Sequence, residues 1–170
     1  MEPTEPPTDA PPSEAPVSAA DLGVSTLFAG MAAEGLEPLL RVARRRRLAP
    51  GETLFEHGTA AVSCFVVERG RVVLRATAGG RTTIVMSAGP GDILGWSALR
   101  PHARWLTTAR AVDGVEVIEL PVEPLLDFLA GGSERTRVLI QRLAAVAADH
   151  LEQTQSQLLA SRGEGLITGG

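Results

Sequence analysis

Few side chains of this 170-residue chain have types and spacings that could do chemistry. Cys64 is its only cysteine, which excludes intrachain disulfides, cysteine-ligated clusters and four-cysteine zinc sites. The three histidines, His57, His102 and His150, share no H-x-H or H-x-x-x-H spacing that would aim two imidazoles at one metal ion. No serine or cysteine stands in a nucleophile context such as G-x-S-x-G, so no enzyme is read here. What remains is one stretch, GDILGWSALRPHARWLTTARAVDG from Gly91 to Gly114. It holds both tryptophans, Trp96 and Trp105, of a chain with no tyrosine and four phenylalanines. Two indoles within ten residues, in a Gly-punctuated turn, suit three roles: stacking on a ligand ring, filling a pocket, or packing in the core.

The flanks of that stretch must position it, and between Pro50 and Leu120 they are β in texture. Short runs rich in Val, Ile, Thr and Leu are bounded by turn signals at Gly51, Gly58, Gly70, Gly79-Gly80, Gly89 to Gly91 and Gly114. Six to eight strands at such spacing predict a sandwich or barrel, with Gly70 and Gly79-Gly80 as hairpin turns. Cys64 sits in an alternating strand and reads as a packing residue. Upstream, Leu27, Phe28 and Met31, then Leu36, Leu39, Leu40 and Ala43, recur at helical spacing and predict two short helices around Gly35. The run Arg44 to Arg47 reads as a solvated edge entering a strand.

After Pro121 the chain turns helical. Ser133 is a good N-cap, Glu134 favours the first turn and Gly163 is a plausible stop, which predicts a helix of about 28 residues or about 42 Å. Its stripe Leu139, Leu143, Ala147, Leu151, Thr154, Leu158 runs at gaps of three and four. A helix this long extends past a small domain, so the stripe is expected to meet a second copy in a homodimer.

Composition bounds the rest. Five of the 20 acids lie in residues 1–21, which contain no base, leaving 15 acids against 16 arginines downstream. A nearly neutral folded part lacks the basic face of a nucleic-acid binder. The opening MEPTEPPTDAPPSEAPVSAAD has little to bury and is expected to be a disordered tail, with PPTDAPP a candidate docking segment for a protein partner. No run approaches the roughly 18–20 apolar residues of a membrane span, and the start lacks a secretory pattern, so a soluble cytoplasmic protein is expected. The expected divisions are residues 1–21 as tail, 25–132 as a β-roll domain, 133–162 as the long helix and 163–170 as a flexible end.

Two short helices, a β-roll with Gly-bounded hairpins, a Gly-rich turn and a long helix together resemble the cyclic-nucleotide-binding domain of the catabolite activator type of bacterial regulator. The resemblance spans roughly Leu27 to Leu159. It rests on PGETLFEHG at 50–58, FVVERGRVVL at 65–74, PGDILG at 90–95, and ARA followed by VEVIEL at 109–120. It implies a double-stranded β-helix (jelly-roll) that is mainly β with flanking helices, and a regulatory role with a cyclic nucleotide or related nucleotide as ligand. Regulators of this kind often carry a helix-turn-helix domain after the long helix. The closing ASRGEGLITGG has no helical pattern, so direct DNA binding is not expected.

In that family the turn after PGD-hydrophobic-hydrophobic-G is the phosphate-binding cassette. The resemblance assigns its backbone donors to Ser97, Ala98 and Leu99, with Gly95 allowing close approach. The pattern continues with a glutamate for the ribose and, about ten residues on, an arginine for the phosphate. Here Trp96 stands at the glutamate position. Counting back from Ala111, Trp105 stands at the arginine position, between Arg104 and Leu106. A one-residue bulge in RPHARW would bring Arg104 to the phosphate instead, with His102 a weaker candidate. Losing two charged hydrogen bonds of about 1.5–3 kcal/mol each removes roughly two to four decades of affinity for an ordinary cyclic nucleotide. On the long helix, Thr154 and Gln155 occupy the positions of the family's purine-reading polar pair.

Overall fold

The computed structural model describes residues 16–164, and the side chains within that span as far as Ser156. Eight strands form two four-stranded antiparallel sheets. The first, in the order β1-β8-β3-β6, contains β1 (Arg44–Leu48), β3 (Ser63–Arg69), β6 (Ile93–Leu94) and β8 (Val115–Pro121). The second, in the order β2-β7-β4-β5, contains β2 (Thr53–Phe55), β4 (Val72–Ala78), β5 (Arg81–Ala88) and β7 (Thr108–Ala111). This is the sandwich that the turn spacing predicts, and the mainly β jelly-roll with flanking helices that the resemblance implies.

The burial of each strand follows its apolar content. In β3 the run Ser63 to Val67 is buried throughout, as expected for a strand with β8 on one side and β6 on the other. In β8 Val115, Val117, Ile118 and Leu120 are buried, with the adjacent Val117 and Ile118 covered on opposite faces of the sheet, while the two glutamates stay half-buried. Gly70 turns β3 into β4 at φ 81°; a Cβ there would lie 2.4 Å from the Gly114 carbonyl oxygen, so no other residue fits. The outer half of the β4–β5 hairpin, closed by Gly79-Gly80, is exposed.

The arginine run forms β1, and its charges are answered. Arg45 donates to both carboxylate oxygens of Glu68 at 2.7 and 2.9 Å and reaches Asp21 at 3.1 Å, while Arg46 and Arg47 pair with Glu119 and Glu116. A bidentate partner raises the Arg45 pKa further, and the guanidinium stays charged.

The N-terminal helices differ from expectation. Leu27 and Phe28 are fully buried but lie in successive turns, and the first helix is instead α1 (Ala19–Leu22). The end of the predicted tail is therefore folded: Ser18 and Asp21 form a reciprocal capping box, and Val17 and Leu22 join the core. The rest of the predicted tail, 1–15, lies outside the described residues. The second helix, α2 (Ala33–Val42), contains Gly35, where a Cβ would sit 2.6 Å from Arg135 Cδ.

After α3 (Val122–Ala130), Ser133 Oγ accepts the Thr136 N–H at the start of α4 (Glu134–Glu164), a helix of 31 residues that runs past the expected stop at Gly163. Its stripe is split. Leu139 is fully buried and Leu143 and Val146 pack on the domain core, while Ile140 and Leu151 are exposed. Arg142 fixes the inner half by donating to the carbonyls of Leu27 and Ala29 at 3.0 and 2.7 Å. Leu158 lies beyond the described side chains. Among the described residues no helix is long and apolar enough to cross a membrane, and no cluster of three or more potential metal ligands occurs.

Candidate functional site

The PGDILG segment makes a tight turn and then the short strand β6, which pairs with β3 through Phe65 and Val66. Gly95 follows at φ 79°, and the chain winds into one 3₁₀ turn, Trp96–Leu99. Only glycine fits at 95: a Cβ would stand 2.7 Å from Trp105 Cη2 and 3.0 Å from the Ser63 carbonyl oxygen. The Gly95 carbonyl in turn accepts from the Cys64 thiol at 3.4 Å, and burial pushes that thiol's pKa up to about 12. Cys64 is an inert packing residue that steadies the turn.

Beneath the turn lies a cavity of about 290 Å³. Its floor is Phe55 and Trp105, stacked with ring centroids 3.9 Å apart and planes 17° apart. Leu74, Val85 and Met86 from the β4–β5 hairpin close one side, and Trp96 and Ser97 form the rim. From α4, His150, Gln153 and Thr154 face it. The two sides are joined by one hydrogen bond: Trp96 Nε1–H donates to His150 Nδ1 at 2.8 Å, with the rings tilted 45°. Among the described residues no Asp, Glu, Lys or Arg lines the cavity, and the polar side-chain groups there are hydroxyls, an amide, one imidazole and the Trp96 N–H.

The family model for the cyclic nucleotide-binding domain matches residues 45–131, which include the turn and both indoles. The chain belongs to that family. The cyclic AMP receptor protein of Thermus thermophilus is 28% identical over 135 residues, 79% of this chain and 61% of that protein. An acetyltransferase, Pat, from Mycolicibacterium smegmatis is 30% identical over 129 residues, 74% of this chain and 39% of that protein. The chain thus spans less than two thirds of either curated relative. Among solved structures, the Thermus thermophilus catabolite activator protein superposes with a TM-score of 0.67 at 29% identity, covering 81% of this chain and 63% of that one.

Against the family's cassette, the structure brings Gly95, Trp96, Ser97, Trp105, Leu106 and Thr154 to one cavity. Arg104 is not among them. Its guanidinium donates to the Gly58 carbonyl at 2.6 Å on the outer surface, because Gly58 N–H bonds Trp105 O and Trp105 N–H bonds Thr59 O, which lock the register with the indole inward. His102, at φ 54°, is exposed and lines a separate groove beside Val62 and Leu126. Ala98 is buried, and its N–H donates to the Gly95 carbonyl at 2.8 Å, so it is not free for an anion. Leu99 packs against the core, and Gln155 is exposed away from the cavity.

Sequence reasoning missed His150 and Gln153. The signal was present: His150 lies four residues before Thr154, one helical turn away, so any face that presents Thr154 to the turn presents His150 too. Thr154 Oγ1 itself donates back to the His150 carbonyl at 2.8 Å.

Proposed function

We propose that this domain is a sensory regulatory module whose cavity takes a small uncharged ring in place of a cyclic nucleotide and passes occupancy to α4. Membership of the family supports a cyclic-nucleotide-binding-like regulatory domain. The observation that carries the narrower reading is the composition of the walls: two indoles and a phenyl ring, with no carboxylate for a ribose and no guanidinium for a phosphate among the described residues. An anion placed there would lose its water and gain no charged partner, which is unfavourable. A flat apolar ring would instead stack on Trp105 and desolvate at no electrostatic cost.

Signalling follows from the position of α4, which lines the cavity with His150, Gln153 and Thr154 and would shift with occupancy. Its exposed residues Ile140, Ala144 and Leu151, spaced by four and seven, form a seam suited to a second copy, so the working unit in this reading is a homodimer. A regulated protein partner would read the pair.

The burial of Trp105, 5% exposed and stacked on Phe55, favours a second reading in which the domain is a ligand-free interaction module with its pocket largely self-filled. Tryptophan emission during titration separates the two. The sensor reading expects a saturable change with uncharged bicyclic aromatics and none with cyclic AMP, cyclic GMP or cyclic dinucleotides. Tight binding of a cyclic nucleotide at neutral pH overturns it, and silence with every compound favours the ligand-free module.

A further inference from the structure

The Trp96–His150 bond carries more than an attachment of α4. Within the cavity walls, His150 Nδ1 is the only imidazole acceptor, and it is occupied by the N–H of an indole that belongs to the protein. We infer that Trp96 is a resident stand-in, and that His150 is the receptor for the ring N–H of an uncharged, indole-like heteroaromatic ligand. The inference rests on the sensor reading above and names the ligand class for the same cavity.

Three observations converge. The bond at 2.8 Å requires a lone pair on Nδ1, so the imidazole is neutral with its proton on Nε2. Trp96 is only half-buried and lies at the rim, where its ring can leave without opening the core, unlike Trp105. The cavity beside it, about 290 Å³, is floored by an aromatic face and walled by Leu74, Val85 and Met86. An apolar cavity of about 150 Å³ suffices for benzene, so a two-ring molecule is of suitable size. A ring that stacks on Trp105 and presents an N–H toward α4 meets the acceptor that Trp96 now holds.

Exchange of one donor for another leaves the hydrogen-bond inventory unchanged and releases the turn from α4. The acceptor exists only while His150 is neutral. The walls facing it from β2, β4, β5, β6, the 3₁₀ turn and the segment before β7 contribute no charged group, and on α4 the flanking Asp149 and Glu152 are exposed.

Paired probes test this: indole, and 1-methylindole, which keeps the ring and lacks the donor. In the wild-type chain, indole is expected to shift the Trp96 Nε1–H resonance in a ¹⁵N-labelled sample as the bond to His150 breaks, while 1-methylindole perturbs the Met86 methyl and leaves that resonance in place. In Trp96→Phe, where the acceptor is unoccupied, indole should bind about 3- to 10-fold more tightly than 1-methylindole, the net effect of one hydrogen bond. That preference should vanish in Trp96→Phe/His150→Phe. Unchanged emission from Trp105 verifies that the variants are folded. Equal binding of the two probes to Trp96→Phe at neutral pH overturns the role of His150 and leaves the sensor reading intact. Binding of neither probe to either chain overturns both.

Discussion

The two tryptophans stand nine residues apart and face one cavity, yet they live in different regions of the molecule. Trp105 is part of the sandwich, held by backbone bonds from Gly58 and to Thr59, stacked on Phe55 and 6.3 Å from Phe65. Trp96 sits on a single 3₁₀ turn and is fixed at its far end by one hydrogen bond to a helix. A side chain held by many packed atoms defines the shape of a site, whereas one held by a single polar contact is free to report its occupancy. The difference divides the cavity into a rigid floor and a movable rim.

The sharpest way to break that comparison is to truncate each indole. Trp105→Ala should destabilise the fold by about 3–5 kcal/mol, as for other large buried aromatics. Trp96→Ala should cost less than about 1.5 kcal/mol, the scale of one hydrogen bond with partial burial. Urea denaturation measures both, and equal losses would abolish the distinction between floor and rim. Gly95→Ala comes next, with an expected loss of about 1–3 kcal/mol from the left-handed backbone and the clash with Trp105. It should also red-shift Trp105 emission, because the indole is the softer of the two neighbours.

Much of the fold was legible because its signals are local. The turn glycines at 70, 79 and 80 and the alternating apolar residues of β8 need no tertiary context to be read. Counting back from Ala111 puts Trp105 at the family's arginine position, and in the structure the Trp105 ring lies buried in the cavity floor. The failures are tertiary. Leu27 and Phe28 have helical spacing, but turns bury them equally well beneath α4, where Arg142 takes up their segment's carbonyls. Arg104 offered the right charge, and the Gly58 carbonyl on the outer face claimed it. Sequence distance likewise hides the place of His150, which lies on a helix that folds back over the turn.

The comparison also divides α4, whose inner half belongs to the floor's rigid body through Leu139 and Arg142, while its outer half carries His150 and the exposed Leu151. In the proposed homodimer, Leu151→Glu should weaken association at least tenfold, about 1.4 kcal/mol, by sedimentation, without altering monomer stability. If the variant sediments as the wild type does, α4 is not the seam.

The smallest expected effect concerns the rigid side's outer edge. Hydrogen bonds from the Ser18 backbone and side chain, then the charge of Arg45, hold the Asp21 carboxyl below its usual value, against a desolvation cost. A depressed carboxylate contributes stability that is present above the unfolded value, about 3.9, and is lost as pH falls through the folded value. With a third of the side chain open to solvent, the contribution is under about 1 kcal/mol. Acidification should therefore shift the Ser18 and Asp21 amide resonances in one step below pH about 4, and Asp21→Asn should remove that step. Because α1 attaches through Arg45 to Glu68 on β3, far in the chain from the turn, the Trp96 Nε1–H resonance should not follow this step in phase. A Trp96 signal that moved together with Asp21 would mean that rim and edge form one cooperative unit, and the division between a rigid floor and a movable rim would have to be redrawn.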